Sequence, residues 1–160
     1  MKKSDCPLTR YKNDRIVELV GKTGHRTLAA WAIDCAERVL PYFEEEHPED
    51  LRPRTAIETL RTWIDTGAFH MAVIRKASLD AHTAARAVGE DNAARSAARA
   101  AGHAVAVAHV RTHSIGAARY ALQAVHRASG LENADEAVAK ELEWQHNRLL
   151  ELRKMRRHHH

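Results

Sequence analysis

Apolar residues recur three and four positions apart along most of this chain. Nowhere do four or more alternate with polar ones between turn signals, so the pattern predicts an all-α fold. Tyr11, Ile16, Leu19 and Val20 make a weak stripe over Leu8–Val20, closed by Gly21-Lys22-Thr23-Gly24. Leu28, Trp31, Ala32, Cys35, Val39 and Tyr42 mark a strong helix over His25–Glu46, which Pro41 should kink or break. Pro53 fits the first turn of the next helix, whose face is Ala56, Ile57, Leu60, Trp63 and Ile64 and whose stop is Gly67. Phe69–Val88 follows, with Val73, Ile74, Ala77, Ala81, Ala84, Ala85 and Val88 turned inward.

The stretch Ala81–Ala128 holds eighteen alanines in 48 residues. Alanine loses no side-chain entropy in a helix, and a face of alanines lets a neighbouring helix come close. This stretch is therefore expected at the centre of the fold. Glu90 and Asp91 suit the start of one helix there. A break is expected near Val110–Ser114, with one continuous helix as the alternative. Ile115, Ala118, Leu122 and Val125 carry the next helix to Ser129-Gly130. In the last helix Val138, Leu142, Gln145, Leu149 and Leu152 alternate four and three apart, either as a seam that could pair two chains into a homo-oligomer or as an ordinary core face. The expected architecture is a single-domain bundle, or a short stack, of six to seven helices with an alanine-rich centre. Residues 1–7 form a flexible arm, 8–152 one helical domain and 153–160 a basic tail. His158–His160 resemble a tag and are left out of site reasoning.

Charge changes this picture little. The chain of 160 residues carries a net charge of +4. Arg153, Lys154, Arg156 and Arg157 supply that excess, leaving residues 1–152 with 21 charges of each sign. A nucleic-acid partner therefore loses its main support. Arg95, Arg99 and His103 could form a phosphate-contacting stripe, but no aromatic side chains interleave with them. Two cysteines, Cys6 and Cys35, make no metal or redox motif. No leader follows Met1-Lys2-Lys3 and no apolar run could span a bilayer, so a soluble, cytoplasmic protein is expected.

Candidate chemistry is sparse. The Gly-Lys-Thr at 21–23 lacks the glycine a phosphate loop needs at position 16, which is isoleucine. Ser114 and Ser129 have no triad around them, and Asp34 and Glu37 beside Arg38 read as surface ion pairs. No cofactor and no catalytic residue is indicated, and the chain is expected not to be an enzyme. His103, His109 and His113 are the metal-binding alternative, with His82 and His126 in reach from other helices. The His-Glu-x-x-His signature is absent. Glu44, Glu45, Glu46, Glu49 and Asp50 lie within seven residues with no Lys or Arg among them. They form either a solvated loop or an acidic patch for a basic partner.

Two stretches carry a resemblance. One is Trp31-Ala-Ile-Asp34-Cys35-Ala36-Glu37-Arg38-Val39-Leu40-Pro41 with Phe43-Glu44 and Arg52-Pro53-Arg54 through Trp63; the other is Ala100-Ala101-Gly102-His103-Ala104 through His109, His113 and Gly116 to Tyr120-Ala121. Over roughly residues 25–128 the chain resembles the all-helical, type-five-like immunity proteins of bacterial polymorphic toxin systems. The resemblance implies a cytoplasmic protein that binds a cognate toxin domain and blocks it. It supplies no catalytic residues. In related sequences a proline often stands where this chain has Arg111, which implies a helix break there.

Overall fold

The computed structural model describes residues 8–157. Residues 1–7, expected as an arm and including Cys6, lie outside the described residues, as do His158–His160. The fold is all-α. A short 3-10 helix, Leu8–Tyr11, precedes α1 (Asp14–Gly21), α2 (His25–Glu46), α3 (Arg52–Thr66), α4 (Met71–Ala87), α5 (Ala93–Ala106), α6 (His113–Ala128) and α7 (Ala134–Arg157). None of the described residues is in a strand.

Helix α5 is the axis. It packs against α2, α3, α4 and α6. Its buried residues, among them Ala94, Ala97, Ala98, Ala100, Ala101, Ala104 and Val105, cover all of its circumference but the half-buried stripe of Arg95, Arg99 and His103. A helix so nearly apolar all round must be enclosed on most sides. The bulky fillers come from the helices around it: Leu28, Trp31, Leu40 and Phe43 of α2, Ile57 and Leu60 of α3. Small residues at the centre and large ones from outside let the layers interdigitate at native density. One contiguous core includes residues from every α-helix, from Ile16 in α1 to Leu149 in α7.

Several local expectations change. The first stripe divides at Asn13, whose side chain accepts from the Ile16 amide and caps α1. Helix α2 runs unbroken through Pro41, with Val39, Leu40 and Phe43 all buried beside it. Core packing on both sides of the proline outweighs its roughly 3 kcal/mol helix penalty. The cap of α5 is Asn92, which accepts from the Arg95 amide, rather than Glu90 or Asp91. Val73 faces outward, at 54% exposure.

The chain does break after α5, with turns between Ala106 and His113. Arg111 stands in that break and reaches α1, donating to the Val20 carbonyl at 2.9 Å and the Thr23 carbonyl at 3.0 Å. Arg153 donates to the Lys22 carbonyl and the Thr23 hydroxyl. Two guanidinium groups thus serve the carbonyls that a helix C-terminus leaves without partners. The basic stretch 153–157 is the end of α7.

The seam of α7 is turned onto its own bundle. Gln145 and Leu149 are fully buried. The Trp31 indole donates to the Gln145 carbonyl at 2.8 Å, and the Gln145 amide donates to the Ala118 carbonyl at 3.0 Å. The structure therefore realises the core-face alternative for this helix. No helix of the described residues is long and apolar enough to cross a membrane.

Candidate functional site

The acidic stretch straddles the α2–α3 connection. Glu44, Glu45 and Glu46 end α2, and its last turn holds no basic residue. Carboxylates at a helix C-terminus oppose the macrodipole by a few tenths of a kcal/mol each, so helix stability does not account for them. The five acids divide into two kinds. Glu44 accepts from Arg54 at 2.8 Å, and Asp50 pairs with Arg52 at 2.7 Å and accepts from the Arg52 amide. The Arg52 guanidinium holds the Asp50 carboxyl below the usual carboxylate range. These two carboxylates therefore belong to the fold.

Glu45, Glu46 and Glu49 are exposed. Glu46 has only a 3.9 Å approach from His47 and a 3.5 Å contact with Asn92, while neither Glu45 nor Glu49 forms an ion pair within the described residues. Leu51 follows directly, at 62% exposure. The patch is thus three outward carboxylates beside one exposed leucine. Sequence reasoning missed both the neutralising arginines and the leucine. Arg52 and Arg54 stand only two and four residues past Asp50 and could have been weighed.

The histidines converge elsewhere, across α4, α5, α6 and the break. Ring centroids run His82–His103 at 5.3 Å, His103–His113 at 5.4 Å and His113–His109 at 5.8 Å. The break folds back and keeps the His109 and His113 rings close. Tyr120 stacks on His103 at 5.1 Å. Arg99 donates to His82 Nδ1 at 2.8 Å, which places the His82 proton on Nε2, because a guanidinium only donates. Burial, then the Arg99 charge, depresses His82 to about 4, and burial followed by His82 depresses His103 to about 4. Burial also lowers His113. Within the described residues no three His, Cys, Asp or Glu side chains converge as a metal-holding group.

Two glycines make room for these rings. A Cβ at Gly102 would stand 2.7 Å from His82 Nε2, and one at Gly116 2.6 Å from His103 Nδ1. Both lie inside helices, where glycine costs about 0.5–1 kcal/mol relative to alanine. Glycine within an alanine-rich helix was the sequence signal for this cluster, and it went unused. His126 is buried against Tyr11 on another face, outside the cluster.

The arginine stripe is not a free surface. Arg95 pairs with Asp91 and donates to the Ala85 carbonyl, Arg99 engages His82, and His103 meets His113. The α2 carboxylates are likewise structural. Asp34 pairs with Arg148, and Glu37 with Arg54 and Arg61. Arg38 grips Glu141 with two hydrogen bonds of 2.7 and 2.8 Å and lies 4.0 Å over Trp144.

A family model described as "Imm-5 like putative immunity protein" matches residues 18–152. No curated protein and no solved structure matches the chain.

Proposed function

The chain belongs to the Imm-5 like immunity-protein family, and we propose from that membership that it binds a cognate bacterial toxin domain and neutralises it by occlusion. It acts in the cytoplasm and without catalysis. The family match carries the reading, and the patch of Glu45, Glu46 and Glu49 supports it. Glu45 and Glu49 form no ion pair among the described residues, and Glu45 and Glu46 stand at the α2 C-terminus against its dipole, so these exposed carboxylates are available to a basic surface. Leu51 supplies an apolar contact beside them. Complementary charge steers encounter, and the apolar contact slows release.

The test is association kinetics with the purified toxin domain. Glu45→Lys with Glu49→Lys lowers the association rate about tenfold or more at low salt and flattens its salt dependence. Unchanged kinetics remove this patch from the interface.

A further inference from the structure

Helix α3 has the acidic patch at its start and a second, unlike surface towards its end. There α3 and α4 leave a groove of about 410 Å³ between them, walled by Thr59, Thr62, Trp63 and Thr66 of α3 and by Val73 and Ile74 of α4. We propose that a second copy of this chain docks on this groove, with Phe69 of each protomer seated in the groove of the other.

The walls offer little but apolar surface. The hydroxyls of Thr59, Thr62 and Thr66 donate to the carbonyls of Thr55, Glu58 and Thr62 at 2.7, 3.0 and 2.8 Å, so none of the three is a free donor towards the groove. Trp63 and Ile74 are buried, and Val73 is exposed. Phe69 is 44% exposed, and it does not line the groove although Ala68 and His70 on either side of it do. An outward aromatic ring thus stands beside an apolar hollow. Such a surface is self-complementary, because a two-fold axis sets each ring into the other protomer's hollow. Met71, also exposed, widens the apolar contact. Aromatic residues and methionine are the types enriched where protein surfaces meet.

The free charges select a second copy as the occupant. Asp65 stands directly before the groove residue Thr66. The Arg26 guanidinium reaches the same end of α3, where a Cβ at Gly67 would lie 2.6 Å from it. Both residues are exposed, and neither forms an ion pair within the described residues. One unpaired charge of each sign at one groove suits a two-fold contact, in which Arg26 of each protomer meets Asp65 of the other and the pair forms twice. The acidic patch has the opposite character: Glu45, Glu46 and Glu49 carry one sign and would repel a second copy. The patch precedes α3, whose 15 residues span about 22 Å, so dimerisation at the far end leaves it free for a different partner. The contact has few exposed apolar side chains per copy, which puts it in the small, weak class, and a micromolar dissociation constant is expected.

Sedimentation velocity on the full chain across the micromolar range tests this. The boundary should move from monomer to dimer as concentration rises. Phe69→Glu should weaken association about a hundredfold or more, because the substitution falls in both protomers. Asp65→Arg and Arg26→Glu should each weaken it about fivefold, and the two together should restore it, since the pair re-forms with its signs exchanged. Restoration is a result that damage to the fold does not give, and circular dichroism verifies that each variant is folded. A chain that stays monomeric throughout overturns the proposal, as does a dimer that Phe69→Glu leaves intact. A monomer whose toxin affinity falls on Phe69→Glu assigns the groove to the toxin and equally overturns the dimer.

Discussion

The His103 imidazole occupies the space that a side chain at Gly116 would need: a Cβ there would stand 2.6 Å from Nδ1. The same holds for Gly102 and His82, at 2.7 Å from Nε2. Gly102→Ala should gain up to about 1 kcal/mol of helix propensity and lose roughly 1–3 kcal/mol to overpacking. The ring cannot yield freely, since Arg99 holds it and α5 is enclosed. Net destabilisation near 1 kcal/mol is expected in urea unfolding. Gly102→Ala combined with His82→Ala should recover most of what the glycine substitution alone loses beyond His82→Ala. Additive losses would show that the ring and the glycine are not competing for one space.

Acid should weaken the fold through the same cluster. His82 and His103 titrate at about 4 in the folded state, below the ordinary value of 6.5. Above pH 6.5 neither the folded nor the unfolded chain protonates them, and their full contribution is present. As pH falls from 6.5 towards 4, the unfolded chain takes up protons that the folded chain refuses, and stability is lost. Below about 4 this loss levels off. Melting temperature should therefore fall across that window, and less steeply in His82→Gln. A flat profile between pH 6.5 and 4.5 would contradict the depressed titration.

Arg38 and Glu141 form a half-open ion pair. Glu141 is only 7% exposed as a residue, whereas the Arg38 side chain is 43% exposed and covers Trp144. Removing Arg38 leaves a carboxylate mostly buried without its bidentate partner. The cost for a fully buried pair is about 3–5 kcal/mol, and solvent access to Arg38 reduces it. Arg38→Ala should cost about 1–2 kcal/mol in chemical unfolding, and Arg38→Ala with Glu141→Leu should be less destabilised than the single substitution.

Arg111→Ala removes the donor to Val20 and Thr23. A loss of about 1–2 kcal/mol is expected, within the range for charged hydrogen bonds at a partly exposed site. Hydrogen exchange at residues 19–24 should quicken more than at α5. Uniform quickening would mean that Arg111 does not act locally on the end of α1.

The order of helices was legible because apolar spacing of three and four is a backbone property that survives any packing. Gly67 shows how local such signals can be: its φ of 70° ends α3 where the glycine stands. What spacing cannot carry is who meets whom. Glu44 and Asp50 read as a free acidic run, yet Arg54 and Arg52 turn back onto them once α3 begins. The histidines read as a pair separated by a break, yet the break brings their rings together. Gln145 sat in a leucine seam without a reason until Ala118 and Trp31 supplied its partners. Pro41 promised a kink or a break on propensity alone, and α2 continues through it without a break, with core residues on both sides.

The central claim is neutralisation by a stoichiometric complex, and titration of toxin activity tests it most directly. Increasing amounts of the chain are added to a fixed amount of the active toxin domain at concentrations far above their dissociation constant. Occlusion predicts a linear fall in activity that reaches its floor at one chain per toxin. Full protection at far less than one equivalent would reveal a catalytic antidote instead. Undiminished activity with excess chain would contradict the account outright.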